Sequence, residues 1–294
     1  MPHALGFRKP GSPLSGVVWF YVHKKVHLER HSLALRVTAK AAPVLEFIFG
    51  DRPLVRHDFQ GTDLRSPVSL LVGPRTKPGL ELELSGSFES FGIAFHPDGL
   101  HNLFGLPVDE ITNQTADGAS VFGPVVNSMA ELLGNCRTFD ERVCLANQLL
   151  FDIYQNFRCK KGISALVSRI LQFGGTGKID ALFRETGLSK RTFERRFREQ
   201  VGMSAKLFSR IVRFQAALDS KARSPHKSWT FVAQECGYFD QMHLIHDFEE
   251  FTAECPGDVL RSVERIYGEH IHAAASRNRS ERPEAVLLSV TLRS

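Results

Sequence analysis

One pattern occurs twice in the C-terminal half of the sequence. The first copy, GLSKRTFERRF, begins at position 187, and the second, GYFDQMHLIHDF, begins at position 237. Three of its positions recur at a constant offset of 51: Ser189, Phe193 and Phe197 correspond to Asp240, Leu244 and Phe248. Each copy has a turn glycine, then a residue type that caps helices, then an apolar stripe at helical spacing. This order predicts two helix-turn-helix units, which can place two helices on one face of a DNA duplex.

The length of 294 residues is too great for one typical domain and fits two. A content of 43% hydrophobic and 23% charged residues is typical of a globular protein. The sequence has no apolar run of eighteen residues and no signal-peptide pattern, so neither a membrane span nor secretion is predicted. The 5 cysteines are scattered, without a CxxC pair. They favour reduced thiols over a disulfide framework or zinc site, and we therefore expect a cytoplasmic protein.

The predicted fold class is α+β, with two domains. Apolar or alternating runs separated by turn residues predict strands at Val44–Gly50, Pro67–Pro74, Leu80–Phe88 and Phe88–Phe95. We expect a β-rich domain over residues 1–158, a barrel or sandwich of cupin-like form that ends in helices. Residues 163–267 are predicted to be an all-α domain of two helix-turn-helix units joined by a helix. The polar, breaker-rich tail at 272–294 is expected to be disordered or loosely attached.

An amphipathic helix is predicted at the end of the first domain. TFDE at 138–141 is a capping-box sequence, and apolar residues follow it at three- and four-residue steps as far as about Phe157. These residues are Val143, Ala146, Leu149, Leu150 and Ile153. The stripe would pack either on its own domain or on a second subunit, and the sequence leaves both open.

Charge is divided unevenly between the two copies of the pattern. The chain has a net charge of +5 and a pI near 9.0, which permits nucleic-acid binding without showing it. Residues 178–227 contain 13 Lys and Arg against 5 Asp and Glu, whereas residues 228–260 contain 7 Asp and Glu and no Lys or Arg. The two units are therefore expected to lie in opposite electrostatic surroundings.

In the first unit, the predicted first helix is Ile179–Thr186, Gly187 forms the turn and Ser189 caps the recognition helix. Phe193 and Phe197 lie one turn apart and face inward. The opposite face carries Arg191, Arg195, Arg198 and Glu199. Arginine can donate two hydrogen bonds to guanine and can neutralise phosphates, so this face suits a major groove. Ordinary solvation would explain an Arg-rich face taken alone, but the turn, the cap and the second copy favour DNA.

A connecting helix is predicted over Ala205–Leu218, after Gly202 ends the recognition helix. At 1.5 Å per residue it spans roughly 20 Å, enough to hold two recognition helices near the ~34 Å separation of successive major grooves. Three basic side chains lie along it: Lys206, Arg210 and Arg213. They are either DNA-backbone contacts or a solvated face.

In the second unit, the predicted helices are Trp229–Cys236 and Gln241–Phe251, with Gly237 as the turn and Asp240 as the cap. At the offset of 51, the outward residues Arg191, Arg195, Arg198 and Glu199 become Met242, His246, Glu249 and Glu250. Gln241 can pair with adenine, Met242 can touch a thymine methyl, and His243 or His246 can donate a hydrogen bond. The acidic end, Asp247, Glu249 and Glu250, would be repelled by phosphates. We therefore expect the first helix to dominate affinity; alternatively, the acidic face meets RNA polymerase or another protein.

These residues make the chain resemble the AraC/XylS family of bacterial transcriptional regulators. The likeness covers roughly residues 163–259 and is carried by GLSKRTFERRF, VGMSAKLFSRIVRFQAAL and VAQECGYFDQMHLIHDFEEFTAECP. It implies sequence-specific binding to double-stranded DNA, with no enzyme activity and no cofactor. The sequence departs from the family pattern at Phe183, His246 and Glu249, and Asp258-Val259 replaces the family's usual ending of a polar and then an aromatic residue.

The resemblance also implies which residues contact DNA. Base contacts carry over to Arg191, Glu194, Arg195, Gln241, Met242, His243 and His246. Expected backbone contacts are Ser189, Lys190, Arg196, Arg198, Lys206 and Asp240. The segments LLVGPRTKP, GIAFHPDGLHNLFGLPVDEIT and VFG are similar, more weakly, to an uncharacterised domain that precedes such units in bacterial regulators. This likeness implies a domain that senses a small-molecule effector or forms a homodimer.

A metal-dependent β-domain enzyme with an appended DNA-binding module is the alternative hypothesis. His23, His27 and His31 would share one face of a helix, but the VVWFYVH run before them indicates a strand, and no carboxylate triad or cysteine pair accompanies them. His96, His101 and the His270–His272 pair have no convincing ligand partners. No phosphate-binding loop or nucleophile elbow is present in the sequence, so no catalytic residue or metal site is predicted.

Overall fold

The computed structural model describes residues 3–57, 63–155, 163–177, 183–184, 186–264 and 290–292. Two long antiparallel strands, β2 (Val18–Val37) and β7 (Leu80–Phe95), organise its N-terminal half. Seven shorter strands complete one sheet: β1 (His3–Arg8), β3 (Val44–Ile48), β4 (Leu54–His57), β5 (Leu64–Arg65), β6 (Ser69–Val72), β8 (Thr115–Asp117) and β9 (Val290–Leu292).

All nine described strands belong to a single antiparallel sheet, with the main order β1-β2-β7-β3-β6-β8. Strand β7 pairs with β3 along its C-terminal half and with β4 along its N-terminal half. The sequence predicted a β-rich domain that is either a barrel or a sandwich. The described strands form one sheet, and no pairing between them joins its two ends. The strands predicted separately at Leu80–Phe88 and Phe88–Phe95 are one continuous strand.

Four helices and two 3₁₀ turns accompany the sheet. The 3₁₀ turns are Leu14–Gly16 and Val108–Ile111, and the helices are α1 (Gly99–Phe104), α2 (Gly118–Phe122), α3 (Val125–Asn135) and α4 (Phe139–Gln155). The capping box that starts α4 is confirmed, because the Thr138 hydroxyl accepts a hydrogen bond from the Glu141 N–H at 3.2 Å.

The apolar stripe of α4 packs on the sheet within the same chain. Val143, Ala146 and Leu150 are buried in a cluster with sheet residues such as Phe91, and Leu149 and Ile153 pack against the same cluster. Of the two alternatives that the sequence left open, the structure therefore shows the intrachain packing.

The C-terminal half is helical, so the α+β class is confirmed. Its helices are α5 (Ile163–Gln172), α6 (Lys190–Val201), α7 (Ala205–Arg223), α8 (Trp229–Glu235) and α9 (Gln241–Thr252), and residues 256–264 are also helical. The connecting helix α7 is five residues longer than expected and spans about 28 Å at 1.5 Å per residue. The predicted helix Ile179–Thr186 falls largely outside the described residues. No helix that the structure describes is long and apolar enough to cross a membrane.

The tail predicted at 272–294 is described only at Val290–Leu292. These three residues pair with Leu35–Val37 at the end of β2. Here a strand replaces the expected disorder, because the exposed edge of a sheet offers unpaired backbone groups to any extended segment within reach. The rest of the predicted tail lies outside the described residues.

The β-rich and helical regions touch at the ends of the two predicted recognition helices. At the end of α6, the Thr112 hydroxyl donates to the Gly202 carbonyl at 2.9 Å. At the end of α9, the Ala39 N–H donates to the Phe251 carbonyl at 2.9 Å. Ala39 and Ala41 are fully buried in the core of the helical region. This core therefore includes residues from the β-rich region.

Gly202 is the tightest point of this contact. Its φ of +85° lies in the left-handed region, and a Cβ added there would meet the Thr112 Oγ1 at 2.3 Å and the Pro74 Cγ at 2.9 Å. Only glycine satisfies both the backbone angle and the close approach.

We expect Gly202→Ala to lower the free energy of unfolding by about 3 kcal/mol, since backbone strain and steric overlap add. Gly187→Ala is the matched control, because Gly187 has a φ of +66° but open space around a built Cβ. The control should lose only about 1 kcal/mol, the cost of the backbone angle. Denaturant unfolding measures both values, and equal losses would contradict the packing role of Gly202.

Candidate nucleic-acid interface

The first unit is built as the sequence predicts from its turn onward. Gly187 adopts a φ of +66°, and the Ser189 hydroxyl accepts a hydrogen bond from the Thr192 N–H at 3.3 Å, which caps α6. Phe193 and Phe197 are buried, and α6 ends at Gly202 in the left-handed conformation. The turn, the cap, the apolar stripe and the end of the helix are therefore confirmed.

A ladder of aromatic rings fixes the inner face of α6. Ring centroids lie 5.1 Å apart between Phe183 and Phe193, 5.7 Å between Phe193 and Phe197, and 5.7 Å between Phe197 and Phe208. Phe183 departs from the pattern of the resembled family, and the structure accommodates its ring as the outer step of this ladder. Because each ring is packed on the next, the opposite face of α6 is held towards solvent.

The basic face of α6 is exposed. Six side chains on it extend into solvent: Lys190, Arg191, Glu194, Arg195, Arg196 and Arg198. The Arg195 guanidinium lies 3.6 Å from the Glu199 carboxylate, as an exposed pair one turn apart on the helix. Such a pair contributes little to stability, so Arg195 remains available to a stronger acceptor. Lys206, near the start of α7, is exposed as well.

The second unit has the predicted scaffold. Gly237 adopts a φ of +70°, and the Asp240 carboxylate accepts a hydrogen bond from the His243 N–H at 2.7 Å. Leu244 and Phe248 are fully buried. The offset of 51 therefore relates two real structural copies, from the helix cap to the second buried residue of the stripe, and the turn glycines are 50 residues apart.

The four residues of α9 predicted to contact bases divide into two pairs. The Met242 and His246 side chains are exposed, as the prediction requires. In contrast, Gln241 and His243 are half-buried and have partners within the protein. The Thr230 hydroxyl donates to the Gln241 Oε1 at 2.7 Å, and the His243 ring packs edge-on against Tyr238 with centroids 5.4 Å apart. Contact between bases and Gln241 or His243 would require these partners to be exchanged.

Asp247 is not part of the outward acidic face that the sequence suggested. It is fully buried, and Arg210 of α7 contacts it, with the Nη2 atom 2.6 Å and the Nε atom 3.1 Å from Oδ1. Arg210 also contacts Glu250 at 2.5 Å and lies over the Phe251 ring. The hydrogen bonds to Glu250 and Asp247 raise the pKa of Arg210 above its usual value. The hydrogen bond from Arg210 lowers the pKa of Glu250 below its usual value. The sequence signal for the burial of Asp247 was its position directly before Phe248, a residue of the buried stripe.

Two basic residues of α7, Arg210 and Arg213, contact the second unit. Besides the Arg210 contacts, the Arg213 guanidinium donates to the Gly237 carbonyl at 3.3 Å and lies 4.7 Å from the centre of the Tyr238 ring. Both arginines therefore make intramolecular contacts. Both side chains remain partly exposed, and their contact with the DNA backbone stays a prediction.

The sequence segments 178–227 and 228–260 differ strongly in charge. In the folded chain this difference is smaller, because basic residues from outside the acidic segment pair with its carboxylates. The Lys227 ammonium lies 2.8 Å from the Glu235 carboxylate and lowers the pKa of that group. Arg36 of β2 lies 3.7 Å from Glu254. Arg210 pairs with two further acidic groups. Most acidic groups of the second unit are thus compensated within the protein, and the predicted repulsion of phosphates is confined to few exposed groups such as Glu249.

The histidines considered as metal ligands lie on a strand. His23, His27 and His31 are all in β2, where four-residue steps separate them by roughly 13 Å. The His23 Nε2 atom instead lies 3.1 Å from the Glu89 carboxylate. One ion cannot contact histidines at that spacing, and the described residues contain no cluster of three potential metal ligands.

A turn glycine, a capped helix and a buried apolar stripe thus occur twice in the helical region, which follows the β-rich region in the chain. A family model described as "Helix-turn-helix domain", of the AraC type, matches residues 182–262. A second model, described as "Domain of unknown function (DUF6597)", matches residues 7–117. The chain thus carries an AraC-type helix-turn-helix domain behind a DUF6597 domain, and the resemblance noted in the sequence is confirmed. The helix-turn-helix domain supports a role in DNA-binding transcriptional regulation.

The sequence matches no curated protein. Among solved structures, ToxT from Vibrio cholerae is similar, at 8% identity and a TM-score of 0.47 over 87% of this chain and 98% of that one. A ToxT structure with a bound unsaturated fatty acid has 10% identity and a TM-score of 0.45, over 86% of this chain and 96% of that one. The AraC-like transcriptional activator CuxR has 15% identity and a TM-score of 0.27, over 83% and 80%. At these TM-scores the similarity supports no statement about the ligand of this chain.

We expect Arg210→Ala to lower the free energy of unfolding by about 3 kcal/mol, because it leaves the buried Asp247 carboxylate without its partner. Arg195→Ala is the control, since its exposed pair should contribute less than about 1 kcal/mol. The double variant Arg210→Ala/Asp247→Ala should lose less than the sum of the single variants. Strict additivity in denaturant unfolding would show that the two residues do not stabilise the fold as a pair.

Proposed function

We propose that this protein is a sequence-specific DNA-binding transcriptional regulator whose two recognition helices, α6 and α9, enter successive major grooves. The observation that carries the proposal is the exposed basic face of α6 on a scaffold that recurs, 51 residues later, in α9. Arg191, Glu194 and Arg195 are the proposed base contacts of the first unit. Lys190, Arg196, Arg198 and Lys206 are proposed backbone contacts, together with the helix starts capped by Ser189 and Asp240.

The first unit is proposed to dominate affinity. Its exposed basic side chains can neutralise phosphates, whereas the basic residues near the second unit are engaged with acidic groups. His246 is exposed and is proposed as a polar contact of the second unit. Its ring lies 3.9 Å from Glu250, which would compete with DNA for a protonated His246.

The β-rich region is proposed to control the orientation of the DNA-binding helices, either by sensing a small molecule or by forming a homodimer. The support for this role is its contact with the ends of both recognition helices, at Gly202 and Phe251. A change in the β-rich region at these two points would be transmitted directly to α6 and α9. RNA polymerase is a further candidate partner of the exposed acidic groups of α9.

Footprinting on DNA upstream of this protein's own gene and of neighbouring genes tests the proposal. We expect Arg195→Ala to weaken binding to the protected site by roughly 10- to 100-fold, the usual cost of losing an arginine–guanine contact. His246→Ala should weaken it less. Arg65→Ala, at an exposed position of β5, is the matched control and should leave affinity unchanged. Equal losses for Arg195→Ala and His246→Ala would contradict the dominance of the first unit.

Salt dependence separates phosphate contacts from base contacts. We expect Lys190→Ala to weaken binding to specific and nonspecific DNA to a similar extent. It should also reduce the slope of log K against log salt concentration by about 1. Fluorescence anisotropy from about 50 to 200 mM salt measures this slope. The Arg65→Ala control should keep the slope of the unaltered protein. An unchanged slope for Lys190→Ala would remove Lys190 from the set of backbone contacts.

A further inference from the structure

The most exposed apolar side chains of the described residues lie at the start of the second recognition helix. Phe239 has 92% of its surface exposed and Met242 has 68%, the two largest values among the large apolar side chains that the structure describes. Phe239 directly precedes the helix cap Asp240, and Met242 is the second residue of α9. We call Phe239 and Met242 the apolar tip. Apolar surface exposed to water at the start of a recognition helix costs free energy unless a ligand covers it.

The same positions of the first unit have different chemistry. At the offset of 51, Met242 corresponds to Arg191. Counted from the turn glycine, Leu188 corresponds to Tyr238, and both pack in the core of the helical region, whereas Phe239 is an extra residue before the cap and extends into solvent. Arg191 presents a charge where Met242 presents a thioether. The second unit therefore offers an apolar surface where the first offers an ionic one.

The polar side chains next to the apolar tip are held by contacts within the protein. Asp240 caps α9, and Gln241 and His243 have partners in Thr230 and Tyr238. Asp247 and Glu250, further along α9, are paired with Arg210. The polar candidates are thus already engaged, while the tip is free and held in place by the capped helix.

DNA presents one apolar group at the base edges of the major groove, the C5 methyl of thymine. The N-terminal residues of a recognition helix are the ones that reach those edges in a helix-turn-helix. On the basis of the function proposed above, we propose that Phe239 and Met242 determine specificity in the second unit by packing against thymine methyl groups. The half-site contacted by α9 is therefore rich in thymine at the positions nearest the start of the helix. Its contribution depends on methyl groups and hardly on salt.

Replacement of thymine by deoxyuridine tests this, because it removes the methyl group and preserves base pairing. In the footprinted site, the thymines of one half-site are replaced at a time. We expect replacement in the half-site protected by the second unit to weaken binding by about fourfold per contacted methyl, the value of one buried methyl-sized group. Replacement in the other half-site should change affinity much less.

Variants of the apolar tip link the effect to its residues. Phe239→Ala and Met242→Ala should weaken binding to the thymine-containing site and abolish the penalty for deoxyuridine, without changing the salt slope. Met242→Leu should restore most of the affinity. Leu132→Ala removes an exposed apolar side chain from α3, far along the chain from the tip, and should have no effect on binding. Because the tip is exposed, thermal unfolding of the variants should match that of the unaltered protein.

The outcomes distinguish this inference from the proposed function. Site-specific binding that is lost in Arg195→Ala but is indifferent to deoxyuridine in both half-sites would overturn the inference alone. Absence of any site-specific binding would overturn the proposed function itself. If the tip variants bound DNA as the unaltered protein does, but reduced transcription with purified RNA polymerase, the tip would be a protein-binding surface and the inference would be wrong.

Discussion

The contact of Arg210 with Asp247 and Glu250 is the interaction on which the position of α9 depends. It joins the first third of the connecting helix α7 to the second half of α9, where the Asp247 carboxylate has no exposure to water. A buried charge of this kind requires a partner in fixed geometry, so it selects one position of α9 relative to α7. Since α7 also packs against α6 through Phe208, the contact sets the relation between the two recognition helices.

The same contact changes the meaning of the charge pattern. Taken in order along the chain, the basic residues belong to the first unit and the acidic residues to the second. In space, Arg210, Lys227 and Arg36 each pair with acidic groups of the second unit. What remains for solvent is a basic surface on α6 and a surface of low charge at the start of α9. The exposed surfaces of the two units therefore differ in chemistry, since α6 presents basic side chains and the start of α9 presents Phe239 and Met242.

The helical region could be predicted because its signals are local. A glycine at a turn, a capping side chain and two buried residues one turn apart each depend on neighbours in the sequence, and Gly187, Ser189 and Phe193 behave as expected. Partners distant in sequence could not be predicted this way. The single sheet depends on pairing between strands as far apart as β2 and β7, and Arg210 needed its contact with α9 to be distinguished from a solvated residue.

The two recognition helices share a further property that no local signal carries. The chain is tied to the β-rich region just past the end of α6, at Gly202, and near the end of α9, at Phe251, while the starts of both helices face solvent. In a helix-turn-helix the start of the recognition helix is the part that reaches the bases, so under the proposed function the starts would meet DNA while the β-rich region holds the ends. Because α7 already links the helices to each other, a shift of the β-rich region would move both ends together. Control over DNA binding is therefore expected to act on the orientation of the pair and to leave the contact chemistry of each helix unchanged.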